Sequence, residues 1–170
     1  MDEVELRRQL ERAHADCFGW ALACCRRDRD EAEEVLQTVY LTVLEGQARY
    51  DGRSSFRTWL FGVIRRTAAS ERRKAWLRGL LLTREAGSMK PEAPAPPDAE
   101  IESDSRRHSL HHALARLAAR QHEVLQLVFY HDLTVDEAAA VMGVTVGSAR
   151  THYARGKGRL AVLLGDPREL

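Results

Sequence analysis

Apolar positions recur at helical spacing through most of the chain, and alternating strand-like runs are scarce. Leu6, Leu10, Ala13, Cys17, Trp20/Ala21 and Cys24 mark one face of a first helix predicted to end near Arg27. Asp28 or Asp30 is placed to cap a second helix, with Glu31, Glu33 and Glu34 in its first turns, where acids complement the dipole. Its buried stripe is expected to be Val35, Leu36, Val39, Tyr40, Val43 and Leu44. Gly46 and the polar stretch from Gln47 to Ser54 read as a loop. Ser54 or Ser55 then caps a third helix, with Phe56, Trp59, Leu60, Val63, Ile64 and Thr67 inward and Arg57, Arg65, Arg66, Arg72 and Arg73 on the other face.

The pattern breaks between Met89 and Glu100, which hold four of the five prolines. Proline lacks an amide donor and restricts the residue before it, so this segment reads as a semi-extended linker. The predicted organisation is all-α: a helical module over residues 1–80, an acidic linker over 81–105 and a second helical module over 106–170. In the second module Leu110, Leu114 and Leu117 begin one helix, and Val124, Leu125, Val128 and Phe129 belong to the next. Thr134-Val-Asp-Glu137 has the form of a capping box, Gly143 suits the positive φ of a tight turn, and Thr145 can cap a last helix to about Leu164. A short helix, a glycine turn and a longer basic helix make the helix-turn-helix pattern, and Ala138, Ala139 and Ala140 would let its helices approach closely. Gly156 and Gly158 predict a weakened C-terminal half of that last helix.

Charge adds what periodicity hides. The formal net charge of the 170 residues is +1, yet Asp28 to Glu45 holds six acids and one base, and Arg49 to Arg78 nine bases and two acids. Glu85 to Asp104 has six acids against Lys90 alone, and Arg150 to Arg159 four bases and no acid. Such blocks predict separate surfaces for separate partners, two of them polyanionic. On the last helix Ser148, Arg150, Thr151, His152 and Arg155 share a side near the N-terminal half: Arg suits guanine, Ser and Thr suit base edges or phosphates, and later bases such as Lys157 suit the backbone. Between Arg49 and Arg73, cations lie beside Tyr50, Phe56 and Trp59, as single-stranded DNA requires; Phe56 and Trp59 read as core, and Tyr50 as the stacking candidate. The acids Glu31, Glu33 and Glu34 with Gln37 read equally as dipole complements or as a docking face for a basic helix.

Other classes find little support. No glycine-rich phosphate loop, HExxH or nucleophile elbow occurs, so neither catalysis nor a cofactor is expected. His14, Cys17, Cys24 and Cys25, or His108 with His112, lack the spacing of a zinc site, and buried thiols and a solvated histidine face are expected instead. No apolar run reaches the roughly 18 residues of a membrane span, the N-terminus does not read as a secretory signal, and a cytoplasmic protein is expected.

Two regions of the chain, in order, resemble the extracytoplasmic-function sigma factors, the minimal two-domain transcription initiation factors of bacteria. Asp30-Glu-Ala-Glu-Glu-Val-Leu-Gln-Thr-Val-Tyr-Leu41 and Ser55-Phe-Arg-Thr-Trp-Leu-Phe-Gly-Val-Ile-Arg-Arg66 are similar to region two, and the stretches Leu114–Leu125 and Leu133–Arg150 to region four. The resemblance implies that Glu33, Glu34, Gln37 and Thr38 meet the β′ clamp helices of core RNA polymerase, while region four meets the β flap. It implies that Tyr50, Arg53, Ser54, Arg57, Arg65 and Arg66 hold the melted −10 element, and that Ser148, Arg150, Thr151, His152, Arg155 and Lys157 read the −35 element. It further implies control by an anti-sigma factor, whether or not that partner sits in a membrane; the chain itself would not insert. The chain departs from the family pattern at Thr38, Leu44, Ser70 and Ala149. Competing readings are a stand-alone helix-turn-helix regulator and a metal- or redox-sensing interaction protein.

Overall fold

A computed structural model describes residues 2–86, 110 and 112–165; the proline-rich segment, His108 and His111 lie outside them. The described residues form helices and connecting turns without a strand, and the chain divides into two compact units, Met1–Asp98 and Ala99–Leu170.

The first unit is built from α1 (Glu3–Cys24), α2 (Arg29–Leu44) and α3 (Phe56–Ala86). Asp2 caps α1 by accepting from the Glu5 amide at 2.8 Å, and Glu3 and Glu5 occupy its first turn. The helix stops before the expected Arg27, because Arg26 and Arg27 take left-handed φ values of 53° and 67°. Asp28, of the two candidates, caps α2, its Oδ1 accepting from the Glu31 amide at 2.9 Å. Ala32, Val35, Leu36, Val39 and Val43 are buried on α2, whereas Tyr40 is half-buried and Leu44 exposed. Ser55 caps α3, its Oγ accepting from the Thr58 amide at 3.1 Å.

On α3 the buried arc is wider than the predicted stripe. Leu60, Val63 and Ile64 are buried as expected, but so are Thr58, Phe61 and Ala68, while Phe56, Trp59 and Thr67 are only half-buried. The reason is that α3 packs against both α1 and α2, which a single narrow stripe cannot serve. Trp20 of α1 ties this core together: its ring stacks on Phe61 at 5.8 Å, and its Nε1 donates to the Phe61 carbonyl at 3.1 Å. Past Ala68 the helix continues to Ala86, six residues into the segment expected to be linker, and leaves Trp76, Leu77, Leu80 and Leu81 exposed.

In the second unit a helical stretch at 112–115 buries Ala113 and Leu114, and α4 (Ala119–Phe129), α5 (Val135–Met142) and α6 (Val146–Leu164) follow. Leu127, not Phe129, joins Val124 and Leu125 in the α4 core, and Phe129 is exposed against Tyr153 at 6.1 Å between ring centroids. The capping box of α5 is complete: Glu137 N donates to Thr134 Oγ1 at 3.2 Å, and Thr134 N donates to Glu137 Oε2 at 2.9 Å. Gly143 takes φ 64° and Thr145 caps α6, accepting from the Ser148 amide at 3.1 Å. Ala138, Ala139 and Ala149 are buried where α5 and α6 meet, while Ala140 faces out. Gly156 has a packing role beside the weakening expected of it. It is buried against α4, where a Cβ would stand 3.1 Å from Leu125 Cδ1 and 3.2 Å from Gln121 Cβ, so its missing side chain permits the helix contact.

Candidate nucleic-acid interface and docking face

Because α2 buries one side against α1 and α3, its remaining side is solvated. Glu33, Glu34, Gln37 and Thr38 are all exposed there, continued one turn on by the 59% exposed Leu41. Glu31 turns partly inward, and burial pushes its carboxyl above the usual range while Arg72 opposes the shift. Glu33 pairs with Arg29 at 3.1 Å, and the Arg29 guanidinium lies 5.4 Å from the centre of the Phe18 ring. A groove of about 370 Å³ between α1 and α2 is lined by His14, Phe18, Arg29, Glu33, Leu36, Gln37 and Tyr40. Glu33 and Gln37 thus belong both to this groove and to the exposed strip.

The loop before α3 differs from the free stacking ring expected at Tyr50. Tyr50 is half-buried in a three-ring cluster, 5.6 Å from Phe56 and 5.5 Å from Trp59, and its hydroxyl donates to the Ser54 carbonyl. Next to it Gly52 takes φ 74°, and Asp51 accepts from the Arg53 amide at 3.2 Å and pairs with its side chain at 3.3 Å. Tyr50, Arg53 and Ser54 are therefore held together by the loop's own bonds. Arg57 is drawn back to α1, pairing with Asp16 at 3.0 Å with its guanidinium 5.3 Å from the Phe61 ring centre. Arg65 is half-buried and Arg66 exposed; on α3 Arg66 falls roughly 180° around the axis from Arg57. The four arginines do not share one face.

On α6 the inward line is Ala149, Tyr153, Gly156 and Leu160, so Ser148, Arg150, Thr151 and Arg155 are exposed. His152 and Lys157 are half-buried, the Lys157 ammonium lying 5.6 Å from the Tyr153 ring centre. Two hydroxyls are engaged within the helix start: Thr145 Oγ1 donates to Ser148 Oγ at 2.9 Å, and Thr151 Oγ1 to the Gly147 carbonyl at 2.9 Å. Arg150 reaches across to α5, its Nη2 lying 3.2 Å from Asp136 Oδ1. Sequence reasoning did not single out Asp16 and Asp136, because each meets its arginine only through folding. No group of three or more potential metal ligands occurs among the described residues. Burial pushes the Cys17 and Cys25 thiols up to about 12.

Comparison with known proteins defines the class to which these surfaces belong. Residues 10–78 match the family description Sigma-70 region 2 and residues 107–160 match Sigma-70 region 4, so both halves of a two-region sigma factor are present in order. The ECF RNA polymerase sigma factor SigL of Mycobacterium tuberculosis is 31% identical over 156 residues, spanning 89% of this chain and 86% of SigL. The RNA polymerase sigma factor CarQ of Myxococcus xanthus is 29% identical over 153 residues, 90% of this chain and 86% of CarQ. The chain belongs to the extracytoplasmic-function RNA polymerase sigma factors. Solved structures share the fold: RpoE of Bartonella quintana, crystallised with the anti-sigma factor NepR, superposes with a TM-score of 0.71 at 24% identity, covering 96% of this chain and 99% of RpoE. CnrH, in complex with the cytosolic domain of CnrY, gives 0.63 at 19% identity, covering 96% of this chain and 90% of CnrH. Sigma factors bind core RNA polymerase and promoter DNA through these two regions, and they are transcription factors rather than enzymes. No helix among the described residues is long and apolar enough to cross a membrane.

Proposed function

We propose that the two modules divide promoter recognition, with the exposed strip Glu33, Glu34, Gln37 and Thr38 of α2 docking on the β′ clamp helices of core polymerase. The observation that carries this reading is that all four side chains are exposed on a capped helix whose opposite side is buried. Tyr50, Arg53 and Ser54, with Arg57, Arg65 and Arg66, hold the unpaired −10 strand, and melting follows from capture of flipped bases rather than from catalysis. Ser148, Arg150, Thr151, His152, Arg155 and Lys157 face the −35 element, and the second module meets the β flap. The helical modules on either side of the proline-rich segment act as tethered units, so that polymerase raises the effective concentration of each for its half of the promoter. The protein works in the cytoplasm, where polymerase and promoter are. Control by an anti-sigma factor is supported by the complexes of RpoE with NepR and of CnrH with CnrY.

Purified bacterial core polymerase supplied with this protein is expected to yield run-off transcripts from promoter templates that core alone does not use. Glu34→Arg is expected to abolish co-elution with core polymerase while leaving the circular dichroism spectrum unchanged. Retained co-elution of a folded variant would refute the docking assignment.

A further inference from the structure

Arg150 stands in the second turn of α6, next to Ala149, which is fully buried against the rest of the module. Its backbone is therefore fixed while its long side chain is 67% exposed. Among the described residues one polar contact restrains that side chain: Nη2 lies 3.2 Å from Oδ1 of Asp136, fourteen residues earlier. Asp136 is rigidly placed in turn. It is the second residue of α5, between Thr134 and Glu137, whose reciprocal capping bonds fix that helix start. An exposed pair of this kind adds little to folding stability, so a stability role does not account for it.

We propose that Asp136 is a positioning residue for sequence reading: it holds the Arg150 guanidinium so that its remaining donors face a guanine edge in the major groove. This rests on the reading of α6 as the −35 recognition helix. Two physical effects act together. Bidentate recognition of guanine needs a planar fork held in one orientation, and a tether at one nitrogen removes most of the orientations a free arginine samples. The Asp136 carboxylate also repels phosphate, so an arginine tied to it is steered away from the backbone, where contact carries no sequence information, and toward the bases. The pair thus trades non-specific affinity for discrimination. The neighbouring hydroxyls of Ser148 and Thr151 are engaged with the helix itself, which leaves Arg150 as a reader not already bonded within α6.

The test uses holoenzyme assembled from this full chain and purified bacterial core polymerase, with duplex promoter DNA randomised across the −35 element, selected for binding and sequenced. Wild type is expected to prefer guanine at a position where Arg150→Ala removes the preference. Asp136→Ala is expected to lower the guanine preference at that same position by about fivefold or more, leave the other positions unchanged, and leave total retention of the library equal or higher. Its melting temperature is expected to fall only slightly, by the loss of one first-turn acid of α5. Unchanged discrimination in Asp136→Ala, or an equal loss at every position, overturns the proposal while leaving the −35 reading standing. If Arg150→Ala itself alters no position, the −35 assignment of Arg150 fails, and the proposal with it.

Discussion

In the first module the interior is filled by large side chains, with Trp20, Leu60, Phe61 and Ile64 each no more than 2% exposed. In the second, Ala138, Ala139, Ala149 and Gly156 are buried beside the aliphatic side chains of Val124, Leu125, Leu127 and Met142. These solutions fail in opposite directions. A core of rings is lost by making a hole, because its neighbours relax only partly into the space. A contact made by small residues is lost by adding atoms, because interiors are already close-packed. Charged side chains differ between the modules too. Arg57 is drawn inward to Asp16 and Phe61 by contacts within the bundle, whereas Arg150 is held outward by Asp136.

Substitutions can sharpen or break this contrast. Trp20→Ala carries the largest expected effect, about 3–5 kcal/mol, since it removes the ring stack and the bond to the Phe61 carbonyl. Hydrogen exchange read by mass spectrometry should show protection lost in α1 to α3 and kept in α4 to α6; equal loss in both would mean that the modules do not fold as separate units. Gly156→Val should destabilise the second module by about 1–3 kcal/mol through overpacking, measured by urea unfolding. Gly158 is the internal control: a Cβ there meets nothing within 4 Å, so Gly158→Ala should stabilise by up to ~1 kcal/mol. Thr134→Ala should cost about 1 kcal/mol by removing half of the capping box, visible as faster exchange of the amides at the start of α5. A last contrast concerns pH and belongs to the first module alone. Burial raises the Cys17 and Cys25 thiols from 9.0 to about 12, so they stay protonated in the folded chain after the unfolded chain has begun to ionise. Stability from this source is full below pH about 9 and is lost as pH rises toward about 12. Unfolding midpoints of wild type and of Cys17→Ala/Cys25→Ala should converge over that range.

The features legible in the amino-acid order were the local ones. Asp28, Ser55, Thr134 with Glu137, Gly143 and Thr145 all act within four residues of where they stand, so spacing alone located them. What escaped depends on which element lies opposite. Phe61 is absent from the expected inward stripe, and is core because α3 packs against two helices and Trp20 of α1 stacks on its ring. Gly156 looked like a weakness, since nothing local reveals that Leu125 and Gln121 press against it. Among the candidate site residues, exposure of the α2 strip and of most of the α6 positions follows from periodicity. The tethering of Arg57 and Arg150 does not, because Asp16 and Asp136 lie 41 and 14 positions away in the chain.

The corner between α1 and α2 carries a consequence for the order of assembly. Arg27 N donates to the Leu22 carbonyl at 2.8 Å, Asp28 N to the Cys25 carbonyl at 3.0 Å, and Glu31 N to the Asp28 carboxylate at 2.9 Å. Within ten residues these carbonyls and amides find local partners, and the Cys24 carbonyl is completed later by the Arg72 guanidinium of α3. Short-range closure of this kind costs little loop entropy and forms early. As the chain leaves the ribosome, this hairpin can therefore be in place before the ring-bearing third helix arrives to seal it.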